Sequence, residues 1–436
     1  MNRPTWPENG AAMLTRMGSA FTVRNGELYL DNQSVTMLAG QIGTPCYLYS
    51  QDALQQRLAA LREALPADIA LHYAVKANPH EALLAFFKDH VDGFDTASLG
   101  ELIRLADQGV DLGRCSLAGP AKSDEELAFA LKHDVLVNLE SVGEAQRLAK
   151  IAKTAGKKAR VALRINPPFE LKGSGMRMGG GAKPFGIDAE QIPAMAAELD
   201  DNWLRLEGFH LYAGSQCREA AVLVEGFDKG LALIAELAAA IGFSPKIINL
   251  GGGFGIAYSP LETPLDLAAV GKGLKELLAL WRPRFANAQF VIELGRYLVG
   301  EAGIYVTRIV DRKHSRGKLF LICDGGMHHH LALSGNLGQV LRKNWPLVIA
   351  NRMDAPCEEM ANLAGPLCTP LDILGSDQPL PKTEPGDLVV VLQSGAYGAS
   401  ASPAGFLSRP AAVERMVSDK TADAWAQKSA QYPHRL

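Results

Sequence analysis

Short apolar, β-branched runs alternate with amphipathic stretches through the middle of the chain. The strand-like runs cover residues 69–77, 91–98, 114–118, 135–141, 160–166, 205–213, 246–250 and 290–294. Between them lie stretches with helical spacing of apolar positions, among them 81–88, 99–108 and 124–131. Eight strands alternating with helices predict an α/β fold, either a closed (β/α)8 barrel or a doubly wound sheet. The barrel is favoured because reactive side chains end many different runs. A doubly wound sheet would gather its ligand at one switch point. After Arg296 the alternation stops. Residues 304–310, 318–323, 347–351 and 387–392 read as strands joined by turns with Gly and Pro, which predicts a separate all-β domain. Residues 21–32 read as a hairpin turning at Asn25-Gly26.

Composition narrows the classes. A chain of 436 residues is long enough for a large core and more than one domain. Its net charge is only −3 and no basic block stands out, so neither nucleic acid nor a membrane surface is an expected partner. The start, Met1-Asn-Arg-Pro-Thr-Trp-Pro, lacks the apolar stretch of a signal peptide, and no apolar run is long enough to span a bilayer. The six cysteines show no paired spacing, so no disulfide framework and no metal site is expected, and the expected location is cytoplasmic.

Lys76, in Leu71-His-Tyr-Ala-Val-Lys-Ala-Asn-Pro79, closes the first run just before the Asn78-Pro79 turn signal. A lysine there is costly unless it is paired, neutralised or reaches solvent at the strand end. Later runs add chemistry. Asn249-Leu-Gly-Gly-Gly-Phe-Gly255 follows the seventh run, where barrels often bind phosphate, and its glycines let backbone N–H groups come close. Glu293, in Glu293-Leu-Gly-Arg296, ends the eighth run, and a carboxylate can hold a proton on a pyridine nitrogen. An amine, a phosphate loop and a carboxylate are what a phosphorylated pyridine aldehyde needs.

These motifs, in this order, resemble the fold-type III decarboxylases that use pyridoxal 5′-phosphate, the ornithine and diaminopimelate decarboxylase family, over roughly Pro45 to Pro410. The resemblance implies an alanine racemase-like (β/α)8 TIM barrel at 45–300 and a C-terminal all-β domain at 301–436, with the N-terminal segment 1–44 adding strands to the latter. It implies Lys76 as the Schiff-base lysine, Gly251, Gly252 and Gly253 around the phosphate, and Glu293 at the ring nitrogen with Arg296 beside it. The glutamate argues against an alanine racemase, which has an arginine there. Gly208-Phe-His-Leu-Tyr-Ala-Gly-Ser-Gln216 matches His-x-His-x-Gly-Ser-Gln, with Tyr212 in place of the ring-stacking histidine and Ser215 as a phosphate ligand. His210 is either a packed core histidine or a site residue, since alternation puts it on the face of Tyr212. Asp95, with Glu101, and Arg164 match cofactor-site positions, and each could equally serve a structural ion pair.

Gly365-Pro-Leu-Cys368-Thr-Pro-Leu-Asp372 matches the segment whose cysteine reaches the partner subunit's site and protonates the carbanion left by CO2. A homodimer with shared sites is therefore expected. Tyr397, in Ser394-Gly-Ala-Tyr397-Gly, matches a phosphate contact, and Arg296, Asp324, Thr369 and Asp372 are the expected substrate contacts. Several positions depart from the diaminopimelate pattern. Thr369 stands where those enzymes carry Glu, and Asp324-Gly-Gly-Met-His-His-His330 replaces Arg-Pro-x-x-Tyr. Neighbouring histidines on an extended chain point alternately, so His328 to His330 read as site-lining or surface residues and not as a metal centre.

Met176-Arg-Met-Gly-Gly-Gly-Ala-Lys-Pro-Phe-Gly186 and Phe406-Leu-Ser-Arg-Pro410 are similar to a narrower branch. That branch holds the glutamyl-carrier-protein decarboxylase of butirosin biosynthesis and the exosortase-associated decarboxylases. The expected activity is α-decarboxylation of an amino acid, free or carrier-protein-linked. The 173–181 loop, flanked by Lys172, Arg177 and Lys183, is basic and reads either as an entry for a phosphorylated tether or as a surface loop beside a site for a small free amino acid. The alternatives are a diaminopimelate decarboxylase and, from another class, a catalytically inactive decarboxylase-like binding protein.

Overall fold

The computed structural model describes residues 6–171, 176–177, 179–335 and 343–419. The expected basic loop therefore lies partly outside the described residues. The chain forms two compact units, one of Leu58–Ile256 and Pro264–Tyr297, the other of the described parts of Met1–Arg57, Ala257–Thr263 and Leu298–Leu436.

The first unit is a closed barrel of eight parallel strands: Ile69–Ala74 (β1), Gly93–Thr96 (β2), Cys115–Leu117 (β3), Leu136–Leu139 (β4), Ala159–Asn166 (β5), Leu204–Leu211 (β6), Ile247–Asn249 (β7) and Gln289–Leu294 (β8). Each pairs with its sequence neighbour, and β8 returns to β1 through Phe290 opposite Ile69 and Glu293 opposite His72. Serines stop strands and start helices here. Ser98 caps Leu99–Asp107, Ser141 caps Val142–Ala155, and Ser123 forms a capping box with Glu126 ahead of Asp124–Lys132. The caps fix where each strand ends, and so where the residue at its C-terminal end points. The barrel interior departs from the usual filling of branched apolar side chains. His72, Ser116, Asn138 and Asn249 face a cavity of about 270 Å³.

The second unit is built on a six-strand path of Gly303–Ser315 (β9), Lys318–Cys323 (β10), Leu347–Ile349 (β11), Glu359–Ala364 (β12), Ile373–Leu380 (β13) and Leu388–Val391 (β14), in the order β11-β14-β9-β10-β12-β13. The long β9 changes partners at an irregularity between Ile309 and Asp311. Its first half pairs with β14 and with Cys46–Ser50, which also pairs with Val413–Val417 (β15).

The expected boundary at residue 45 therefore moves. Cys46–Ser50 belongs to the β unit, because five fully buried residues take their ladder from β9 and β15. The Asn25-Gly26 hairpin is present, with both turn residues at positive φ as a type I′ turn requires. It does not join the large sheet. Thr22–Arg24, Glu27–Leu30 and Gln33–Ser34 make a sheet of their own, tied to the unit by Leu28 N–H donating to Ala350 O. Among the described residues no helix is long and apolar enough to cross a membrane.

Candidate active site

The barrel strands deliver polar side chains to one end, and the sequence explains how. The first run ends as a strand at Ala74, earlier than residue 77. Val75–Ala77 turns into a 3-10 helix because Asn78 N–H bonds back to Val75 O and Pro79 has no N–H to continue a ladder. This turn lifts Lys76 off the strand and exposes it, while Tyr73 holds the turn by donating to Asn78 O at 2.8 Å. Lys76 Nζ lies 5.2 Å from the Tyr212 ring centroid, so the residue ending β1 meets the one following β6.

Glu293, near the end of β8, is buried. His210 Nε2 of β6 is 3.4 Å from its Oε2, and Asn249 Nδ2 of β7 donates to the same oxygen at 3.3 Å. Burial alone would push this carboxyl up. His210, Lys76 and Arg164 outweigh it and hold the group well below the usual carboxylate range. Three strand ends thus converge on one anion, and His210 is a neighbour of Glu293.

The glycine loop is shaped by close backbone approach. A Cβ on Gly252 would sit 2.0 Å from Glu293 O, one on Gly253 2.5 Å from Gly214 O, and one on Gly251 2.7 Å from Leu211 O. Gly251 and Gly253 also have positive φ. Gly251 N–H donates to Asn249 Oδ1 at 2.8 Å. That bond closes the start of the loop on the end of β7. Gln216 ties the loop to β6: its Nε2 donates to Ile256 O and its Oε1 accepts from Ile256 N–H. Ser215 beside it is half-buried.

Asp95 ends β2, buried. Ser116 Oγ donates to its Oδ1 at 2.5 Å, and His72 Nδ1 lies 3.4 Å from Oδ2. Glu101 accepts from Ala97 N–H at 2.7 Å; burial pushes its carboxyl up, and that bond and Lys76 oppose the push. Arg164, near the end of β5, donates to Glu140 Oε1 at 2.7 Å. Glu140 belongs to a buried cluster that sequence reasoning missed. Lys122 Nζ donates to Glu144 Oε1 at 2.6 Å, Glu144 accepts from Glu140 N–H, and Glu140 accepts from Gly119 and Gly186 N–H. The signal for it was present, since Glu140 follows a strand run just as Lys76 does. Arg296 follows Glu293 closely and opens the helix Arg296–Val299, half-buried.

In the second unit, Cys368 is exposed on the loop after β12. Asp372 staples this loop: its Oδ1 accepts from Met327 N–H at 2.6 Å and its Oδ2 from Leu367 N–H at 2.8 Å. Asp324 accepts from Thr44 and Thr307 hydroxyls and from Arg308 N–H. Both carboxylates thus accept hydrogen bonds from the fold. Thr369 Oγ1 accepts from Leu371 N–H at 3.3 Å. Tyr397 is held at φ 53°, an uncommon state for a bulky side chain that tends to mark functional loops. The adjacent histidines diverge: His329 Nε2 bonds Pro410 O, and His330 Nε2 meets Ser394 Oγ.

This set can be asked whether it suits a phosphorylated pyridine aldehyde. It offers an exposed amine, a buried carboxylate kept anionic, a tight glycine loop beside it, and an aromatic ring near the amine. The donor chemistry fits.

The family model for the pyridoxal binding domain of pyridoxal-dependent decarboxylases matches residues 51–300. The L-glutamyl-[BtrI acyl-carrier protein] decarboxylase of Niallia circulans is 36% identical over 391 residues, 88% of this chain and 91% of the relative. The diaminopimelate decarboxylase of Aquifex aeolicus is 32% identical over 406 residues, 90% and 91% of the two chains. The crystal structure of diaminopimelate decarboxylase from Helicobacter pylori complexed with L-lysine superposes with a TM-score of 0.79 at 27% identity, covering 91% of this chain and 99% of that one.

Proposed function

The chain belongs to the family of pyridoxal-dependent decarboxylases and is a carboxy-lyase that uses pyridoxal 5′-phosphate, and from this premise we propose that it removes the α-carboxylate of an amino acid carried on a tether. The observation that carries the site assignment is the convergence of β6, β7 and β8 on Glu293, with the glycine loop beside it and Lys76 close enough to act on its charge. When bound, pyridoxal phosphate supplies the ring that accepts electrons as carbon dioxide leaves. The chain's residues do the rest. Lys76 Nζ would hold the aldehyde carbon. Gly252 and Gly253, with Ser215, would hold the phosphate. Glu293 keeps a proton on the ring nitrogen, and Tyr212 packs near the amine. Cys368 Sγ gives a proton to the substrate α-carbon, acting in a cytoplasmic homodimer across the subunit boundary.

The tethered substrate rests on three facts. A relative at 36% identity acts on a glutamyl group on an acyl-carrier protein. Thr369 offers a hydroxyl where the diaminopimelate pattern has an acid, and Arg-Pro-x-x-Tyr is absent. Several relatives at 31–33% identity are diaminopimelate decarboxylases, which makes free diaminopimelate the second reading. Steady-state kinetics decide between them. The tethered reading expects rapid CO2 release from a glutamyl thioester on a carrier protein and poor turnover of free diaminopimelate, lysine, ornithine and glutamate. A kcat/KM on the order of 10⁴ M⁻¹s⁻¹ or more on any free amino acid overturns it.

A further inference from the structure

The His210 imidazole is buried at the end of β6, where every polar atom has to be accounted for. Its Nε2 faces Glu293 Oε2 at 3.4 Å as an ion-pair approach, and neither ring nitrogen has a hydrogen-bond partner among the described residues. A bland packing role would let a leucine stand there. Glu293 is the reason it cannot. The carboxylate is as buried as the histidine, and the neutral Asn249 amide gives it a single bond at 3.3 Å. A buried anion with so little support would take up a proton.

We propose that His210 is the positioning residue that keeps Glu293 anionic and aims its Oε2, so that the ring-nitrogen partner stays charged at the pH of catalysis. Four groups face Glu293, from separate elements: His210 on β6, Lys76 after β1, Arg164 on β5 and the neutral Asn249 on β7. Two of these groups have other tasks. Arg164 donates to Glu140 at 2.7 Å, and Lys76 is the residue assigned to the cofactor aldehyde. His210 is the neighbour without a competing carboxylate among the described interactions. The order of strands makes this possible, because β6 and β8 flank β7 and bring their ends together over Asn249.

The inference rests on Glu293 being the ring-nitrogen partner, and the test separates the two. The holoenzymes His210→Phe and His210→Gln are compared with wild type in the pH dependence of kcat. The same variants are studied without cofactor by infrared difference spectroscopy, with Glu293→Gln identifying the carboxylate band. With its anion-stabilising neighbour gone, Glu293 takes up a proton at higher pH. His210→Phe is therefore expected to move the acid limb of kcat, and the Glu293 band, up by about one pH unit or more. His210→Gln keeps an N–H donor without the imidazole and should fall between. If His210→Phe does not fold, the band position in His210→Gln still decides. An unshifted limb and band in a variant that binds cofactor normally overturn the inference. Near-wild-type turnover in Glu293→Gln would instead overturn the assignment of Glu293 beneath it.

Discussion

Replacing Glu140 by glutamine removes one charge from a cluster of two cations and two anions. Lys122, Glu140 and Glu144 have side chains almost wholly out of solvent, and Arg164 is 11% exposed. Glu140 takes a 2.7 Å bond from Arg164, lies 3.9 Å from Lys122 Nζ, and accepts two backbone N–H groups at 2.6 and 2.9 Å. Glutamine keeps one acceptor oxygen, so the backbone bonds are partly retained. What it cannot keep is the negative charge, and the cluster is left with a surplus cation. Breaking a buried pair on one side costs about 3–5 kcal/mol.

Lys122 softens this, because burial already pulls its ammonium down and lets it shed a proton more easily. A destabilisation of about 3 kcal/mol at pH 7 is expected. The sign with pH follows from Glu140 itself. Burial pushes the carboxyl up, Arg164, Lys122 and Gly186 pull it down, and the balance lies below its ordinary value. Its contribution is full above the unfolded value of about 4.3 and fades as pH falls through the lower folded one. The gap between wild type and Glu140→Gln should therefore close below about pH 4. Urea unfolding of the cofactor-free protein, followed through Trp203 and Trp281, measures it. Adding Arg164→Met should cost less than the sum of the single changes, since the two share one interaction. A gap under about 1 kcal/mol, or one that stays constant from pH 7 to pH 3, refutes the reasoning.

Two further outcomes follow from the same geometry. Gly252→Ala would place a methyl 2.0 Å from Glu293 O, and relief requires moving the end of β8; cofactor affinity, read by equilibrium dialysis, should fall at least tenfold, and unchanged affinity would refute the tight-loop assignment. Mixing inactive Lys76→Ala with inactive Cys368→Ala subunits should restore part of the activity, because hybrid dimers hold one complete site, and no recovery after proven subunit exchange would count against a shared site.

The barrel was legible because its strands and helices differ in period and each run ends near a polar residue. The β unit was less so. Cys46–Ser50 reads locally like any buried strand, and nothing in its own residues names β9 and β15 as partners. Ile373–Leu380 escaped notice because it carries Gly375, Asp377 and Pro379 in place of an apolar alternation. The site shows the same divide. Lys76 and Glu293 could be read from strand ends. The use of a carboxylate could not. Asp372 and Asp324 fit a substrate pattern in sequence, and the hydrogen bonds their oxygens accept from Met327, Leu367, Thr44 and Thr307 cannot be read from it. The same holds for Gly251, whose donor turns back to Asn249.

The central claim is that Lys76 carries the cofactor of a working decarboxylase. Borohydride reduction of the holoenzyme, followed by proteolysis and mass spectrometry of the labelled peptide, tests it most directly. The account predicts one reduced pyridoxyl adduct, on Lys76, and loss of both the adduct and CO2 release in Lys76→Ala. An adduct on any other lysine, or an unlabelled enzyme that still turns over, would contradict it.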